Sequence, residues 1–255
     1  MIKIKLMGGL GNQLFQWACV RNLQKLYGHK IIYEDIIAVT KRNADIYRFP
    51  KIKLEKFEYI KSVINCEKQM VLYDQFDYNG FFKKIDFSDL DILYYLDGYW
   101  QGEKYFTDCV DEIREELQPI NKPEIPESSL SIHVRRTDYV GLQNYHPLQP
   151  VSYYESAIDL LNHTGNIYVF SDDIQWCKEN FKFDNMHFIH NEDPLIDLWT
   201  MSSCEKNIIA NSTFSWWAAW LNNSPNKKVI CPKNWFGVSA PYSDRDILDN
   251  DWIKL

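Results

Sequence analysis

The first part of the chain alternates between a strand pattern and a helix pattern. Residues 2–7 alternate apolar and charged side chains, which predicts a strand, and the glycines of 8–11 predict a turn after it. Apolar side chains then recur at helical spacing over 12–27, and Gly28 stands where helices commonly end. A second apolar run follows at 31–33. This β-α-β opening predicts a parallel sheet.

The second half of the chain repeats this alternation with a clearer rhythm. The predicted strands are 129–134, 166–170, 186–189, 207–210 and 228–231. The predicted helices between them are 152–163, the stretch from Asp173 to Phe181, 194–203 and 214–222. Strands that alternate with helices in this way predict a doubly wound sheet.

The middle of the chain has weaker periodicity. Residues 40–95 are rich in Lys, Asp, Phe and Tyr, and we expect short helices and loops there that form an acceptor-facing surface. Residues 92–100 have the pattern of a strand, and 103–117 the pattern of a helix.

A proline-rich stretch divides the chain in two. Residues 118–128 contain three prolines, which are excluded from helix interiors and central strands, so this stretch is predicted to be a linker. We therefore expect an α/β protein with a domain at 1–120 and a second at 128–255, each with a parallel sheet.

Composition narrows the function classes. The 255 residues carry a net charge of −7 and a sequence pI of about 5.4, which disfavours a nucleic-acid partner but allows a local basic pocket. No stretch reaches the roughly 20 apolar residues of a membrane span. The first residues form a strand rather than a signal peptide. We expect a cytoplasmic protein, and loose peripheral attachment to a membrane stays open.

The cysteines indicate a reducing compartment and no metal site. All six are isolated, without a C-x-x-C pair, so we predict free thiols and no structural zinc. The Asp-x-Asp sequence at 89–91 is interpreted as solvated surface, and we predict no metal ligands.

Polar clusters follow three of the predicted strands in the second half. They are His133-Val-Arg-Arg-Thr-Asp138, Ser171-Asp-Asp173 and Asn211-Ser-Thr213. Carboxyl ends of parallel strands share one edge of a sheet, so these clusters are expected to converge on one crevice. Arginine suits bidentate phosphate binding, and hydroxyls at a helix N-terminus suit anions. The carboxylates suit a base or ribose. The combination favours a nucleoside diphosphate.

Each cluster also has a purely structural interpretation. Ser212 or Thr213 can cap a helix, and so can Asp172 and Asp173. The adjacent arginines can form surface ion pairs, and at most one of them is expected to enter a given pocket. His133 can be a core histidine, and the tryptophans at 216, 217 and 220 are best explained by helix packing.

The N-terminal turn, Gly8-Gly-Leu-Gly-Asn-Gln13, departs from two known nucleotide motifs. Leu14 stands where G-x-G-x-x-G needs its third glycine, which disfavours a dinucleotide-dependent oxidoreductase. The turn also lacks the lysine of a P-loop.

Three motifs together resemble the bacterial α-1,2-fucosyltransferases, and their order and spacing match over most of the chain. They are Gly8-Gly-Leu-Gly-Asn-Gln-Leu-Phe-Gln16, His133-Val-Arg-Arg-Thr-Asp138 and Asn211-Ser-Thr-Phe-Ser-Trp-Trp-Ala-Ala-Trp-Leu221. The resemblance implies a GT-B-like fold of two Rossmann-like halves, GDP-L-fucose as the donor substrate, no cofactor or metal requirement, and inversion to an α-linked product.

The resemblance also implies residue roles. Arg135 would bind the β-phosphate as a catalytic residue, His133 would face the guanine, and Asp172 or Asp173 would contact the base or ribose. Further expected substrate-binding residues are Gly11, Asn12 and Gln13, which would line the donor from the other domain, Ser212 and Thr213 at the diphosphate, and Arg136, Asn211, Phe214 and Ser215.

The general base is the least determined role. Inversion needs a group that accepts the acceptor's hydroxyl proton. The place where related α-1,6 enzymes carry a Glu lies near Gln143, which cannot act as a base. Asp138 is the candidate, with His146 behind it, and the alternative is that Asp138 orients Arg135 or Arg136 through an ion pair.

The acceptor implied by the resemblance is a terminal galactose on an oligosaccharide or polysaccharide. Two alternatives stay open: a transferase for another GDP-linked deoxysugar, and a non-catalytic carbohydrate-binding protein that uses its 16 tyrosines and 9 tryptophans.

Overall fold

A computed structural model describes residues 1–35, 68–191 and 193–255. It divides the chain into two compact units. The first comprises Met1–Ile120 and Arg245–Asp249, and the second comprises Asn121–Asp244 and Asn250–Leu255. Residues 40–67, half of the segment 40–95 that is expected to face the acceptor, lie outside the described residues.

The first unit contains a parallel sheet in the order β2-β1-β4-β3. Its strands are β1 (Ile2–Leu6), β2 (Ile31–Asp35), β3 (Gln69–Tyr73) and β4 (Leu93–Asp97). Helix α1 (Leu10–Tyr27) joins β1 to β2 and begins two residues earlier than predicted, after an extended Gly9. It ends at Gly28, whose φ of 73° is the left-handed conformation that glycine adopts without strain.

The helix predicted over 103–117 is only partly correct. Two 3₁₀ turns, Glu103–Tyr105 and Thr107–Cys109, precede a short helix α2 (Val110–Glu116). The break lies at Phe106, whose backbone is not helical (φ −141°) and whose ring is fully buried near Phe15. Tertiary packing of this ring overrides the local helical pattern.

The second unit contains a larger parallel sheet in the order β10-β9-β8-β5-β6-β7. Its strands are β5 (Leu130–Val134), β6 (Ile167–Ser171), β7 (Met186–Ile189), β8 (Lys206–Ile208), β9 (Lys228–Cys231) and β10 (Ile253–Lys254). Its helices are α3 (Val151–Leu160), α4 (Ile174–Asn180), α5 (Pro194–Ser203) and α6 (Thr213–Leu221). The predicted α/β class with parallel sheets in two Rossmann-like halves is confirmed.

The core of the second unit follows from its sequence pattern. All five residues of β5 are buried, as expected for a central strand covered on both faces. Trp216, Trp217 and Trp220 are at most 1% exposed and contact one another through their rings, so these tryptophans do pack a helix.

Candidate functional site

The second sheet has a switch point between β5 and β8. From β5 the strand order runs through β6 to β7 on one side and through β8 to β10 on the other. In such sheets ligands bind outside the carboxyl ends of the strands at the point where the order reverses. The loop after β5 contains Arg135 and Arg136, and the loop after β8 contains Asn211 and Ser212.

The three polar clusters meet at this edge, as predicted. Asp172, after β6, accepts hydrogen bonds from the backbone N–H groups of Arg136 (2.9 Å) and Thr137 (3.1 Å). The hydroxyl of Tyr139 donates to the carbonyl of Asn211 (3.1 Å). Hydrogen bonds therefore join the loop after β5 to its neighbours on both sides.

Arg135 is held by charge and by an aromatic face. Its guanidinium pairs with Asp138 (2.7 Å) and Asp172 (3.1 Å), and it lies 5.4 Å from the centre of the Tyr139 ring. One third of the side chain is exposed. Because a guanidinium carries more N–H donors than two ion pairs use, Arg135 can still bind a phosphate in a fixed orientation.

Arg136 points to different partners. It pairs with Asp173 (3.2 Å) and lies over the Trp176 ring at 3.9 Å. Asp173 also caps α4, where it accepts from the backbone N–H of Trp176. Divergence of the two arginines was expected, and the helix-cap interpretation describes Asp173 in this structure. The binding roles predicted for Arg136, Asp172 and Asp173 stay predictions.

His133 is buried with an unused hydrogen-bonding atom. Its Nδ1 has no hydrogen-bond partner among the described residues, and its ring lies 5.7 Å from that of Phe214. Burial lowers the pKa of His133 to about 4, and the positive charge of Arg135 adds to this shift. The imidazole is therefore neutral near pH 7. A buried core histidine is normally paired, so the unpaired Nδ1 needs an explanation.

The N-terminus of α6 has no side-chain cap. Ser212 precedes the nine-residue helix in an extended conformation, and its hydroxyl makes no cap hydrogen bond. The N–H groups of the first turn therefore offer the positive end of the helix dipole. Thr213 and Phe214, at the start of this turn, are partly exposed.

Two predicted binding residues near this turn have structural partners. The side chain of Asn211 donates to the carbonyl of Trp235 (3.1 Å) and accepts from Gln149 (3.2 Å). The hydroxyl of Ser215 is fully buried and donates to backbone carbonyls of the preceding turn. Both side chains shape the loop after β8.

Tyr139 was missed by sequence reasoning and contacts several site residues. Its ring stacks on His146 at 4.7 Å between ring centres, in addition to lying near Arg135. Burial lowers the pKa of His146 and the charge of Asp138 opposes that shift. The sequence signal that could have identified Tyr139 as a site residue is its position directly after the His-x-Arg-Arg-x-Asp motif.

Gly11, Asn12 and Gln13 lie in the first unit, in the first turn of α1. Asn12 accepts a hydrogen bond from the side chain of Gln101 (2.9 Å), and Gln13 donates to the carbonyl of Gly8 (3.0 Å). The predicted donor-binding role of these three residues stays a prediction.

Among the described residues, no group of three or more His, Cys, Asp or Glu side chains is arranged to hold a metal ion. No helix within the described ranges is both long and apolar enough to cross a membrane.

Comparison with known proteins places this chain among sugar transferases. Over 100% of its length it is 31% identical to the α-1,2-colitosyltransferase of Escherichia coli, 99% of which is covered. It is 30% identical to the O-antigen biosynthesis glycosyltransferase WbnK of Escherichia coli, over 98% of this chain and 99% of that protein.

The fold is GT-B-like, as expected, and is similar to that of solved fucosyltransferases. The crystal structure of the NodZ α-1,6-fucosyltransferase soaked with GDP-fucose matches with a TM-score of 0.50 at 12% identity, over 86% of this chain and 92% of that chain. The model of glycosyl transferase family 11 matches residues 1–255. The chain is therefore a member of glycosyl transferase family 11.

Proposed function

We propose that this glycosyltransferase moves L-fucose from GDP-L-fucose to the 2-hydroxyl of a terminal galactose on a glycan, with inversion at the anomeric carbon. The observation that carries the proposal is the anion-binding arrangement at the switch point between β5 and β8. Arg135 and the uncapped N-terminus of α6 both offer donors there. The neutral, unpaired Nδ1 of His133 adds a polar contact for a base or phosphate.

The arrangement suits departure of a nucleoside diphosphate. Negative charge develops on the leaving phosphate oxygens as the bond to the sugar breaks, and preorganised donors aimed at that charge lower the barrier. Asp172 and Asp138 hold the Arg135 guanidinium, so it needs little reorganisation during the reaction. We propose that Arg135 takes the role that a divalent metal has in other transferases, with no cofactor.

A second donor is favoured by one specific observation. The α-1,2-colitosyltransferase of Escherichia coli aligns over the whole chain, which supports colitose, the 3-deoxy form of L-fucose, as the transferred sugar. The two sugars differ by one hydroxyl. A site built to hydrogen-bond that hydroxyl rejects the analogue strongly, whereas an apolar site rejects the hydroxylated sugar only weakly.

We propose Asp138 as the general base that accepts the proton of the acceptor hydroxyl. Its pairing with Arg135 at 2.7 Å is also what a purely orienting role requires, so both roles predicted for Asp138 fit the contact. About half of its side chain is exposed, which leaves an oxygen accessible to an acceptor hydroxyl. The cytoplasmic location stays a prediction, and loose attachment to a membrane is an alternative that stays open.

The test is release of GDP in the presence of EDTA. GDP-L-fucose and GDP-colitose are compared as donors, with lactose or N-acetyllactosamine as the acceptor and a reaction without acceptor as the control. Acceptor-dependent release with an α-1,2-linked product is the expected result, and the ratio of kcat/KM for the two donors identifies the sugar. A chain that GDP stabilises thermally but that uses neither donor would contradict the sugar assignment; no stabilisation by GDP would contradict the nucleotide assignment.

A further inference from the structure

The first sheet has its own switch point, between β1 and β4. β1 continues through α1 to β2 on one side, and β4 and β3 lie on the other. The glycine turn at 8–9 and the first turn of α1 follow β1, and the loop 98–101 follows β4. The fully buried Gln16 joins the two strand ends: it accepts from the backbone N–H of Met7 (3.1 Å) and donates to the carbonyl of Gly98 (3.0 Å).

The loop after β4 is shaped to direct Gln101 at α1. The carboxylate of Asp74, after β3, accepts from the backbone N–H groups of Tyr99 (3.2 Å) and Trp100 (2.8 Å). Trp100 adopts a φ of 52°, which is unfavourable for a bulky residue and turns the chain sharply. The side-chain amide of Gln101 then donates to Oδ1 of Asn12 (2.9 Å).

The side-chain amides of Gln101 and Asn12 differ in their exposure and in their contacts. Gln101 is 8% exposed, and within the described part of the chain its buried Oε1 meets no hydrogen-bond partner. An unpaired buried acceptor costs on the order of 1–3 kcal/mol. The stability of the fold therefore does not explain why a glutamine occupies position 101. Asn12 is partly exposed, and its Nδ2 lies so close to Gly8 that a Cβ there would approach to 2.4 Å.

We infer that Gln101 is a positioning residue that fixes the carboxamide of Asn12 for recognition of the sugar nucleotide. Because Gln101 donates to Oδ1 of Asn12, the NH₂ group of Asn12 is the end left for a ligand. An NH₂ group recognises acceptor oxygens, which a sugar nucleotide offers on its diphosphate and on its sugar. The inference rests on the proposed function and adds a residue to it.

The central test is a double-mutant cycle on kcat/KM with the GDP-sugar donor. Asn12→Ala and Gln101→Leu are each expected to lower kcat/KM at least about tenfold, since each removes or misdirects one preorganised donor. Because Gln101 acts through Asn12, the double variant is expected to equal Asn12→Ala alone. The melting temperature of Gln101→Leu is expected to stay the same or rise, because the unpaired acceptor is removed.

Gln101→Glu tests the direction of the hydrogen bond. A carboxylate cannot donate, so it would accept from Nδ2 of Asn12 and turn Oδ1 towards the ligand. Activity is expected to fall at least as far as in Asn12→Ala. Equal loss of affinity for GDP and for the GDP-sugar would place the recognised oxygen on the diphosphate, and loss for the GDP-sugar alone would place it on the sugar.

Gln118→Leu is the matched control. Gln118 lies in the same unit, and its side chain donates a hydrogen bond to the carbonyl of Arg114. The substitution therefore removes one side-chain hydrogen bond and leaves the ends of β1 and β4 unchanged. Its activity is expected to be normal. Additive losses in the cycle, or a Gln101→Leu chain that loses stability and activity together, would overturn the inference alone. A parent chain that neither binds GDP nor turns over would instead contradict the proposed function on which the inference rests.

Discussion

At the scale of single residues, the chemistry depends most on Arg135. Replacing it with Ala removes the cation that Asp138 and Asp172 hold in place. We expect kcat/KM to fall about a hundredfold or more, a loss of roughly 3–4 kcal/mol of transition-state stabilisation. The measurement is steady-state GDP release at a matched folded fraction.

Arg21→Ala provides the control for Arg135. Arg21 pairs with Glu116 in the first unit, so its removal also breaks one arginine–carboxylate pair. Its activity should match that of the parent chain. Near-normal transfer by a folded Arg135→Ala chain would remove Arg135 from the mechanism.

Asp138 has two candidate roles that kinetics can separate. If it accepts the acceptor's proton, Asp138→Asn should lower kcat about a hundredfold with little change in KM for the donor. A normal rate would eliminate Asp138 as the base, and a raised donor KM with kcat unchanged would indicate that it only orients Arg135.

His133 gives a pH dependence of stability with a definite sign. Burial and Arg135 hold its pKa at about 4, against an opposing effect of Asp172, while an unfolded histidine titrates near 6.5. Between these values the unfolded chain binds the proton and the folded chain does not. The free energy of unfolding therefore falls as the pH drops through this window, by roughly 3 kcal/mol for this group.

Urea denaturation at pH 7 and pH 4.5 checks this. His133→Gln should lose less stability between the two pH values than the parent chain loses. His187→Gln changes an exposed histidine on β7 and should follow the parent chain. An unchanged pH difference in His133→Gln would show that His133 is not buried as the neutral form.

At the scale of elements, α6 combines helix stability and anion binding at one terminus. Its N-cap residue, Ser212, makes no side-chain cap hydrogen bond, so the first turn is less stable than it could be. Ser212→Asp should raise helix stability by about 1 kcal/mol through capping and the helix dipole. The same negative charge should weaken GDP binding about tenfold or more.

Thermal melting and titration with GDP measure the two effects in one protein. Ser212→Asn keeps the capping group without the charge, so it should retain much more GDP affinity than Ser212→Asp. Equal GDP affinity in the parent chain and in Ser212→Asp would exclude the N-terminus of α6 as the phosphate site.

The hydrophobic pattern predicted some of the strands accurately and missed another. Strands β5, β6, β7 and β9 were predicted to within one residue because each is an apolar run bounded by polar residues. Strand β3 was missed because it lies at the sheet edge with only Leu72 buried, so its pattern carries almost no periodicity.

The candidate site, too, could be predicted from the sequence only in part. The convergence of the clusters after β5, β6 and β8 could be predicted, because parallel strands place their carboxyl ends together. The contact between Gln101 and Asn12 could not, because it needs β1 and β4 to be neighbours and the chain to turn at Trp100. Neither fact leaves a trace in the local sequence.

At the scale of the whole molecule, the chain passes between the two units more than once. Residues 245–249 belong to the first unit, although the chain on both sides of them belongs to the second. Gly102 provides room for this segment, because a Cβ there would lie 2.1 Å from the carbonyl oxygen of Asp246. Isolated residues 1–120 therefore lack part of the first unit.

The side chain of Asp246 joins this segment to other residues of the first unit. Its carboxylate, 4% exposed, accepts from the backbone N–H of Tyr78 (2.9 Å) and from Nζ of Lys104 (2.6 Å). Asp246→Ala would leave the part-buried N–H of Tyr78 without its acceptor and would break the ion pair with Lys104, at a cost of about 1 kcal/mol. We expect a lower urea midpoint and faster amide hydrogen exchange in the peptides of 68–120. Asp244→Ala, two residues earlier in the second unit, should leave both unchanged. If exchange in Asp246→Ala rose only in 128–244, the segment 245–249 would be stabilising the second unit and its assignment to the first would be wrong.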